Sequence, residues 1–419
     1  MAYKPFQIFL NSQEIEGFTS ARLSRKKADL TGTFSCDIFF NFLPESPVVV
    51  EALRGADVSV YVGGHLAFFG ALDKRTGKGR GKSGSGNEVS TSFGSGSYTV
   101  SLSARGRTKY LVDSSHQHPT GLMKKPKTRE VAEALLQAFD VELDWQAEDV
   151  ELERVTFRDG ITVVHELQRL GNENGQFVYE TRDGKLRVTD STVGNGEPLV
   201  LGQNILHFNA DQTEEHERSY LVVKGQRTAT EVWGKDAILQ VIKEARNSGI
   251  DKRIPFIIQH YGDAKPESLE RRLKFEADKR RSQSLRVSVK VFHVQQTNSE
   301  PWDIGMLHYV EIPPEGIFND MEVIELEYEL DAQGELSTTL TLAPPPSPKQ
   351  TSGIEQAPQT DSIGKQRRNQ LGVSGMDIWE PADLEFSPSF EAPTVIEGTD
   401  YLGGIKIDVP PLKLPPTQA

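Results

Sequence analysis

Cysteine is almost absent. Cys36 is the only one in 419 residues, so the chain can form no internal disulfide and no four-cysteine zinc site, and it suits a reducing compartment. No apolar run approaches the roughly 20 residues of a membrane helix. The opening Met-Ala-Tyr-Lys-Pro-Phe has no apolar signal core, so the expectation is a chain made and folded in cytoplasm without a membrane-spanning segment. Positive charge is also short. Lys and Arg number 47 against 60 Asp and Glu, a formal net charge of −13, which argues against a general nucleic-acid-binding surface. Aromatic residues are few, and the four Trp stand singly, where a carbohydrate-binding surface would cluster them.

Signatures of catalysis are missing too. Gly81-Lys82-Ser83 looks like the end of a phosphate-binding loop, but the Gly required five residues earlier is Thr76. No helical pattern follows to hold phosphate, so a flexible hairpin tip is the reading. His165-Glu166 looks like the start of a zinc-protease helix, yet Arg169 occupies the second His position, which makes His165 a surface or boundary residue. His116 and His118 flank a turn with no third ligand evident and read as solvated. Glu325 and Glu327 share a strand face, weak evidence for acid–base chemistry. No catalytic, metal or cofactor residue is therefore expected. A cell-wall hydrolase and a carbohydrate-binding adhesin are the alternative functions.

Glycine (36) and proline (23) are plentiful, which suits short strands and turns. Residues 6–10, 21–23, 32–40, 57–62 and 66–74 read as strands separated by turn residues, the spacing of a small antiparallel barrel or sandwich. Val100 and Leu102 alternate with Ser101 and Ser103 as a half-buried strand expected to pair with 66–74. Gly106 then breaks it, Arg107 follows, and Asp113-Ser114-Ser115 gives a turn or cap signal. The polar stretch 77–97 reads as a flexible insertion in that hairpin.

Residues 128–139 read as a helix capped by Thr128, and 161–170 as a second stopped by Gly171. Strands at 177–179 and 186–188 flank the hairpin signal Asp183-Gly184. Arg218 to Arg227 is an apolar strand ending in Val-Lys-Gly225-Gln226. Residues 237–245 and 267–284 read as helices, the latter strongly basic through Arg271, Arg272, Lys274, Lys279, Arg280 and Arg281. A solvated face laced with Glu267, Glu270, Glu276 and Asp278 is the preferred reading over nucleic-acid binding. Alternating strands return at 285–292, 309–313, 321–328 and 336–342. Between the first two lies Pro301-Trp302-Asp303-Ile304-Gly305, where Trp302 covers a barrel end and Gly305 turns the chain. Beyond Ala343 the chain is Pro-rich with short apolar islands, the pattern of an extended arm.

Three of these stretches, in this order, resemble Mu-like phage baseplate hub proteins, relatives of the hub domains of secretion-system spikes. They are the strand ending in Gly106-Arg107 before Asp113, the Val-x-Gly225-Gln226 strand, and the closing series with Trp302-x-x-Gly305. The resemblance implies an α+β, mainly antiparallel β chain with two tail-tube-like β-barrels, peripheral α+β domains and an extended C-terminal arm. It places the first barrel at 1–112 with its loop at 77–97, and an α+β domain at 113–204. The second barrel is placed at 205–235 with 285–343, a helical insertion at 236–284, and the arm at 344–419. It further implies a structural, non-enzymatic homotrimer in the virion tail baseplate, assembled in host cytoplasm and helping to initiate tube assembly. That trimer would adapt a threefold spike protein to a sixfold tail tube. Spike, tail tube protein, baseplate wedge proteins and tape-measure protein are the implied partners, with genomic DNA passing through the channel without specific binding.

Overall fold

Strand alternation decides the first third of the chain. The computed structural model describes residues 5–41, 55–80, 97–213, 215, 218–228, 238–247, 254–260, 264–346, 379–381, 401–402 and 405–406. It divides into two units, Met1–Glu380 and Pro381–Ala419. In the second, Tyr401–Leu402 and Ile405–Lys406 pair as an antiparallel hairpin.

The first unit opens with β1 (Phe6–Leu10), β2 (Gln13–Ile15), β3 (Phe18–Lys26), β4 (Thr33–Asn41), β5 (Asp57–Val62), β6 (His65–Arg80) and β7 (Ser97–Gly106). In β1 the apolar Phe6, Ile8 and Leu10 are buried, and the intervening residues are half-exposed, as a strand with one face on a core requires. Strands β6 and β7 pair as expected, but further than expected. Their register continues to Arg80↔Ser97, so Gly77–Arg80 and Ser97 are strand and not loop. Residues 81–96, with Gly81-Lys82-Ser83, lie outside the described residues.

An α+β domain follows: α1 (Lys109–Asp113), β8 (Leu122–Lys124), α2 (Thr128–Leu136), β9 (Leu143–Trp145), β10 (Arg154–Thr156), α3 (Val163–Asn174), β11 (Phe177–Glu180) and β12 (Leu186–Thr189). Leu111, Val131, Leu135, Leu167, Leu170 and Leu186 fill its core. Two helix boundaries differ from the sequence reading. Thr128 lies inside α2, and Asp149 accepts from the Arg129 amide at 3.0 Å, so the exposed donor is met from another segment. Helix α3 passes through Gly171 and stops at Gly175, which is left-handed at φ 75°. A Cβ at Gly171 would meet the Gln176 carbonyl oxygen at 2.8 Å, so that glycine serves packing.

The chain continues through β13 (Gly194–Asn195), β14 (Leu199–Val200), β15 (Ile205–Gln212), β16 (Tyr220–Thr228), β17 (Ile238–Asn247), β18 (Pro255–Gln259) and α4 (Pro266–Ser284). It closes with β19 (Leu285–Val291), β20 (Met306–Ile312), β21 (Ile317–Leu330) and β22 (Leu336–Ala343). Residues 237–245 were expected to be helical. They are strand, with β17 paired to β16 from Tyr220↔Arg246 to Thr228↔Ile238. A short run of Ile, Leu and Val fits either element, and the long pairing partner decides it.

One fourteen-stranded sheet holds most of the strands, in the order β15-β19-β22-β21-β3-β4-β7-β6-β5-β1-β2, with β20 on β21 and both β13 and β14 on β20. The early and late strand sets are therefore continuous. They meet where β21 pairs β3, from Glu325↔Lys26 to Leu330↔Ala21, and they share one hydrophobic core that includes Ile8, Leu23, Phe34, Val289, Val310 and Leu340. Strand β16 was expected among the late strands with β15. It lies instead between β17 and β18 in a separate sheet, with Leu221, Val223 and Ile258 packed under Leu269, Leu273 and Ala277 of α4.

Helix α4 corrects the expectation of a solvated basic face. Phe275 packs against Phe177 at 4.9 Å between ring centroids, and Glu276 is buried between Arg272 and Arg280, both at 2.6 Å. Glu276 and its two arginine partners thus sit on a packed face, while Glu267 and Glu270 are exposed.

Candidate functional site

Five of the seven residues singled out by sequence, Gly106, Arg107, Asp113, Trp302 and Gly305, lie in or around a buried joint between the large sheet and the α+β domain. Its centre is Glu180, the last residue of β11, which is 5% exposed. The carboxyl group accepts from the Gly32 amide at 2.8 Å and the Thr108 amide at 3.0 Å, and its Oε1 lies 3.0 Å from the Thr108 hydroxyl oxygen. Gly106 is the floor of this seat: a Cβ there would lie 1.8 Å from Glu180 Oε2. The break read in the sequence as a corner is thus the space that admits a carboxylate from another domain. Burial pushes the Glu180 carboxyl up to about 7, against the hydrogen bonds it accepts.

Arg107 and Asp113 tie the rim. The Arg107 guanidinium pairs with Asp57 at 3.0 Å and Asp140 at 2.7 Å, joining β5 to the α+β domain, and stacks over Phe69. Asp113 accepts from Arg105, which also contacts Asp73, and Asp73 accepts from Lys109 at 2.9 Å.

The late strands enter through Trp302 and Gly305. Trp302 is 2% exposed, donates from Nε1 to the His293 carbonyl at 3.0 Å and packs on His308. His308 is buried and bonds from Nδ1 to the Glu197 carbonyl at 2.8 Å; burial lowers its pKa. Gly305 turns at φ 87°, and a Cβ there would lie 2.8 Å from the Tyr179 hydroxyl. Beside it, Arg25 of β3 pairs with Asp303 at 2.7 Å and donates to the Glu180 carbonyl at 3.3 Å. Lys27 pairs with Glu322 at 2.6 Å, both buried, and sits 4.0 Å over the Phe177 ring. Sequence reasoning missed Arg25, Lys27, Glu180 and Glu322, because single charged residues on strands look like surface.

Gly225 and Gln226 do not join this site. Gly225 brings β16 against α4 and the residue leading into it, since a Cβ would lie 3.1 Å from Leu269 Cδ2 and 2.6 Å from Ala264 Cβ, while Gln226 is exposed on that separate sheet.

The remaining candidates show structural partners. His116 bonds to the Arg158 carbonyl at 2.9 Å, both His116 and His118 pack on Phe157, and His165 is exposed. Glu327 pairs with Arg22 at 2.8 Å and Glu325 with Lys26 at 3.4 Å. Each carboxylate faces a cation across the strands, and no geometry for an acid–base pair arises. Among the described residues no group of three or more His, Cys, Asp or Glu is placed to hold a metal, and no helix is long and apolar enough to cross a membrane. A groove of about 570 Å³ over β3, β4, β6 and β7 is lined by polar residues such as Ser20, Asp37, Thr76 and Ser101 and apolar ones such as Leu102 and Leu330, with no aromatic side chain.

The α+β domain carries the decisive comparison. Residues 108–190 match the family model described as baseplate hub protein gp44-like, second domain. That match begins at Thr108, the residue that seats Glu180. Over 337 residues the chain is 20% identical to the baseplate hub protein gp44 of Escherichia phage Mu, covering 78% of this chain and 84% of that protein. The chain resembles the Mu-like phage baseplate hub proteins. Its fold is similar to that of the 43 kDa tail protein of prophage MuSo2 from Shewanella oneidensis, with TM-score 0.67 and 19% identity over 81% of this chain and 98% of that one. It is also similar to the tail protein from Neisseria meningitidis MC58, with TM-score 0.61 and 15% identity over 81% and 96%. These likenesses establish a shared, mainly antiparallel β fold.

Proposed function

We propose that the protein is the structural central hub of a contractile phage tail baseplate, a homotrimer that adapts a threefold spike to a sixfold tail tube and helps initiate the tube. The observation that carries this reading is the match to phage Mu baseplate hub protein gp44 over 84% of that protein's length. In this reading β1–β7 form one tube-like barrel, and β15 with β19–β22 form the second. The α+β domain sits on their joint, and β16–β18 with α4 form a further peripheral unit. A spike protein, the tail tube protein, wedge proteins and the tape-measure protein are the partners, and the site of action is the virion tail.

The geometry suits a structural part. Three segments distant in sequence are fixed to one another by buried, specific contacts at Glu180, Arg25 and Lys27. The charged groups nearest the joint are paired with one another, Arg25 with Asp303 and Lys27 with Glu322. Sedimentation equilibrium of the purified protein tests the reading. A species of three times 46.6 kDa is expected, and a protein that stays monomeric at high concentration with its sheets intact overturns it. A cell-wall clearing assay on the same sample should be negative.

A further inference from the structure

The joint contains a carboxyl group whose surroundings are complete only when it carries a proton. Thr108 Oγ1 contacts three oxygens: the Leu30 carbonyl, Thr31 Oγ1 at 3.1 Å and Glu180 Oε1 at 3.0 Å. The Leu30 carbonyl can only accept, so it claims the single Thr108 hydroxyl proton. Thr108 Oγ1 then has lone pairs facing Thr31, which can donate, and Glu180, which can donate only when neutral. With Glu180 protonated, each contact has one donor and one acceptor. With Glu180 ionised, its carboxylate and the Leu30 carbonyl compete for one proton inside a buried seat.

The cations around the seat are shared with other carboxylates, including Arg25, which favours the charged form of Glu180 but is paired with Asp303. On β3, Arg25 pairs with Asp303, and just past its end Lys27 pairs with Glu322. After β7, Arg105 and Lys109 pair with Asp73, and Arg107 with Asp57 and Asp140. On the hairpin from β11, Lys185 pairs with Glu142 and Asp183. Arg182 is the remaining cation there. The positive charges from every packed element are thus largely committed to other carboxylates, and those carboxylates oppose a further negative charge.

We propose that Glu180 is a proton-operated latch, sealing the α+β domain to the large sheet when neutral and loosening that seal when ionised. Burial places its titration near 7, against an ordinary glutamate value of about 4.3. The sign follows: an opened joint ionises at lower pH than a closed one, so opening becomes easier as pH rises between those values. From about pH 6 to about pH 8.5 the opening equilibrium should rise roughly tenfold.

Hydrogen exchange of the purified full chain tests this. After correction for intrinsic rates, the Gly32 and Thr108 amides should lose about tenfold protection across that interval, while core amides such as that of Val289 change little. In Glu180→Gln, which cannot ionise, the pH slope should vanish whatever the absolute protection. If that variant fails to fold, infrared difference spectra of the wild type between the two pH values should show loss of a neutral carboxylic-acid band. A flat wild-type profile, a slope that persists in Glu180→Gln, or a carboxylate already ionised at about pH 6 overturns the latch.

Discussion

The Arg25 guanidinium donates to the Asp303 carboxylate at 2.7 Å across 278 residues of sequence. Two residues on, just past the end of β3, Lys27 reaches Glu322 at 2.6 Å, with side chains 7% and 3% exposed. The end of β3 and the residue after it therefore bring two cations to Asp303 and Glu322, next to the point where β21 begins to pair with β3. Removing one partner of a buried pair leaves an uncompensated charge, so Lys27→Met should cost about 3–5 kcal/mol in urea unfolding. Adding Glu322→Leu should recover most of that loss. A double variant as unstable as the single one would show that the site needs charge.

Gly106→Ala tests the seat directly. Its Cβ would lie 1.8 Å from Glu180 Oε2, with the rest of that carboxyl also inside contact distance. Glu180 must leave, which exposes the Gly32 and Thr108 amides, and overpacking alone costs about 1–3 kcal/mol. The α+β domain should become sensitive to protease between 108 and 190. Gly194→Ala is the control, because its Cβ meets nothing within 4 Å, and it should leave the digestion pattern unchanged.

The strands of the late set were legible because Leu285–Val291 alternates buried and half-buried at every residue, and the hairpin β11–β12 because Asp183-Gly184 marks its turn. The joint was not. Gly106 reads as a turn in any strand-ending context, and only the fold shows that Glu180 occupies the space its missing side chain leaves. Helix α4 misled for a related reason. Its mixed charges match a solvated face by spacing, whereas Glu276 is buried with one arginine on either side. Burial of a paired charge leaves no local trace, since the partner pattern i, i+4 is the same in water. The split of the late strands failed at β16, whose apolar run is the same whichever sheet it enters.

Acid should loosen the rim before the core. The Arg105 hydrogen bond holds the Asp113 carboxyl below its ordinary value. At Asp73 partial burial works the other way, but hydrogen bonds from Arg105 and Lys109 outweigh it and the carboxyl is also lowered. Both carboxyls are lowered in the fold, so their stabilisation is present above the unfolded value, about 3.9, and is lost as pH falls through the folded values. Asp113 is half-exposed, so solvent screening keeps its share below about 1 kcal/mol. Urea midpoints measured from about pH 5 down to about pH 2 should fall, and less steeply in Asp73→Asn. Parallel curves would remove Asp73 from the acid response.

The loop between β6 and β7 can be shortened without harm to the sheet. Arg80 and Ser97 are the last register pair of those strands, so their backbones already stand at hairpin spacing. Replacing residues 81–96 with Asn-Gly supplies a turn whose twist matches the strands. Closing a loop of two residues instead of sixteen lowers the closure cost by about 1.8 kcal/mol on the logarithmic length law. The thermal midpoint should therefore stay level or rise by a few degrees, at roughly 2–4 °C per kcal/mol for a chain of this size. A fall of more than about 5 °C, or loss of soluble protein, would mean that the segment packs against the body and that its polar composition hides a structural role.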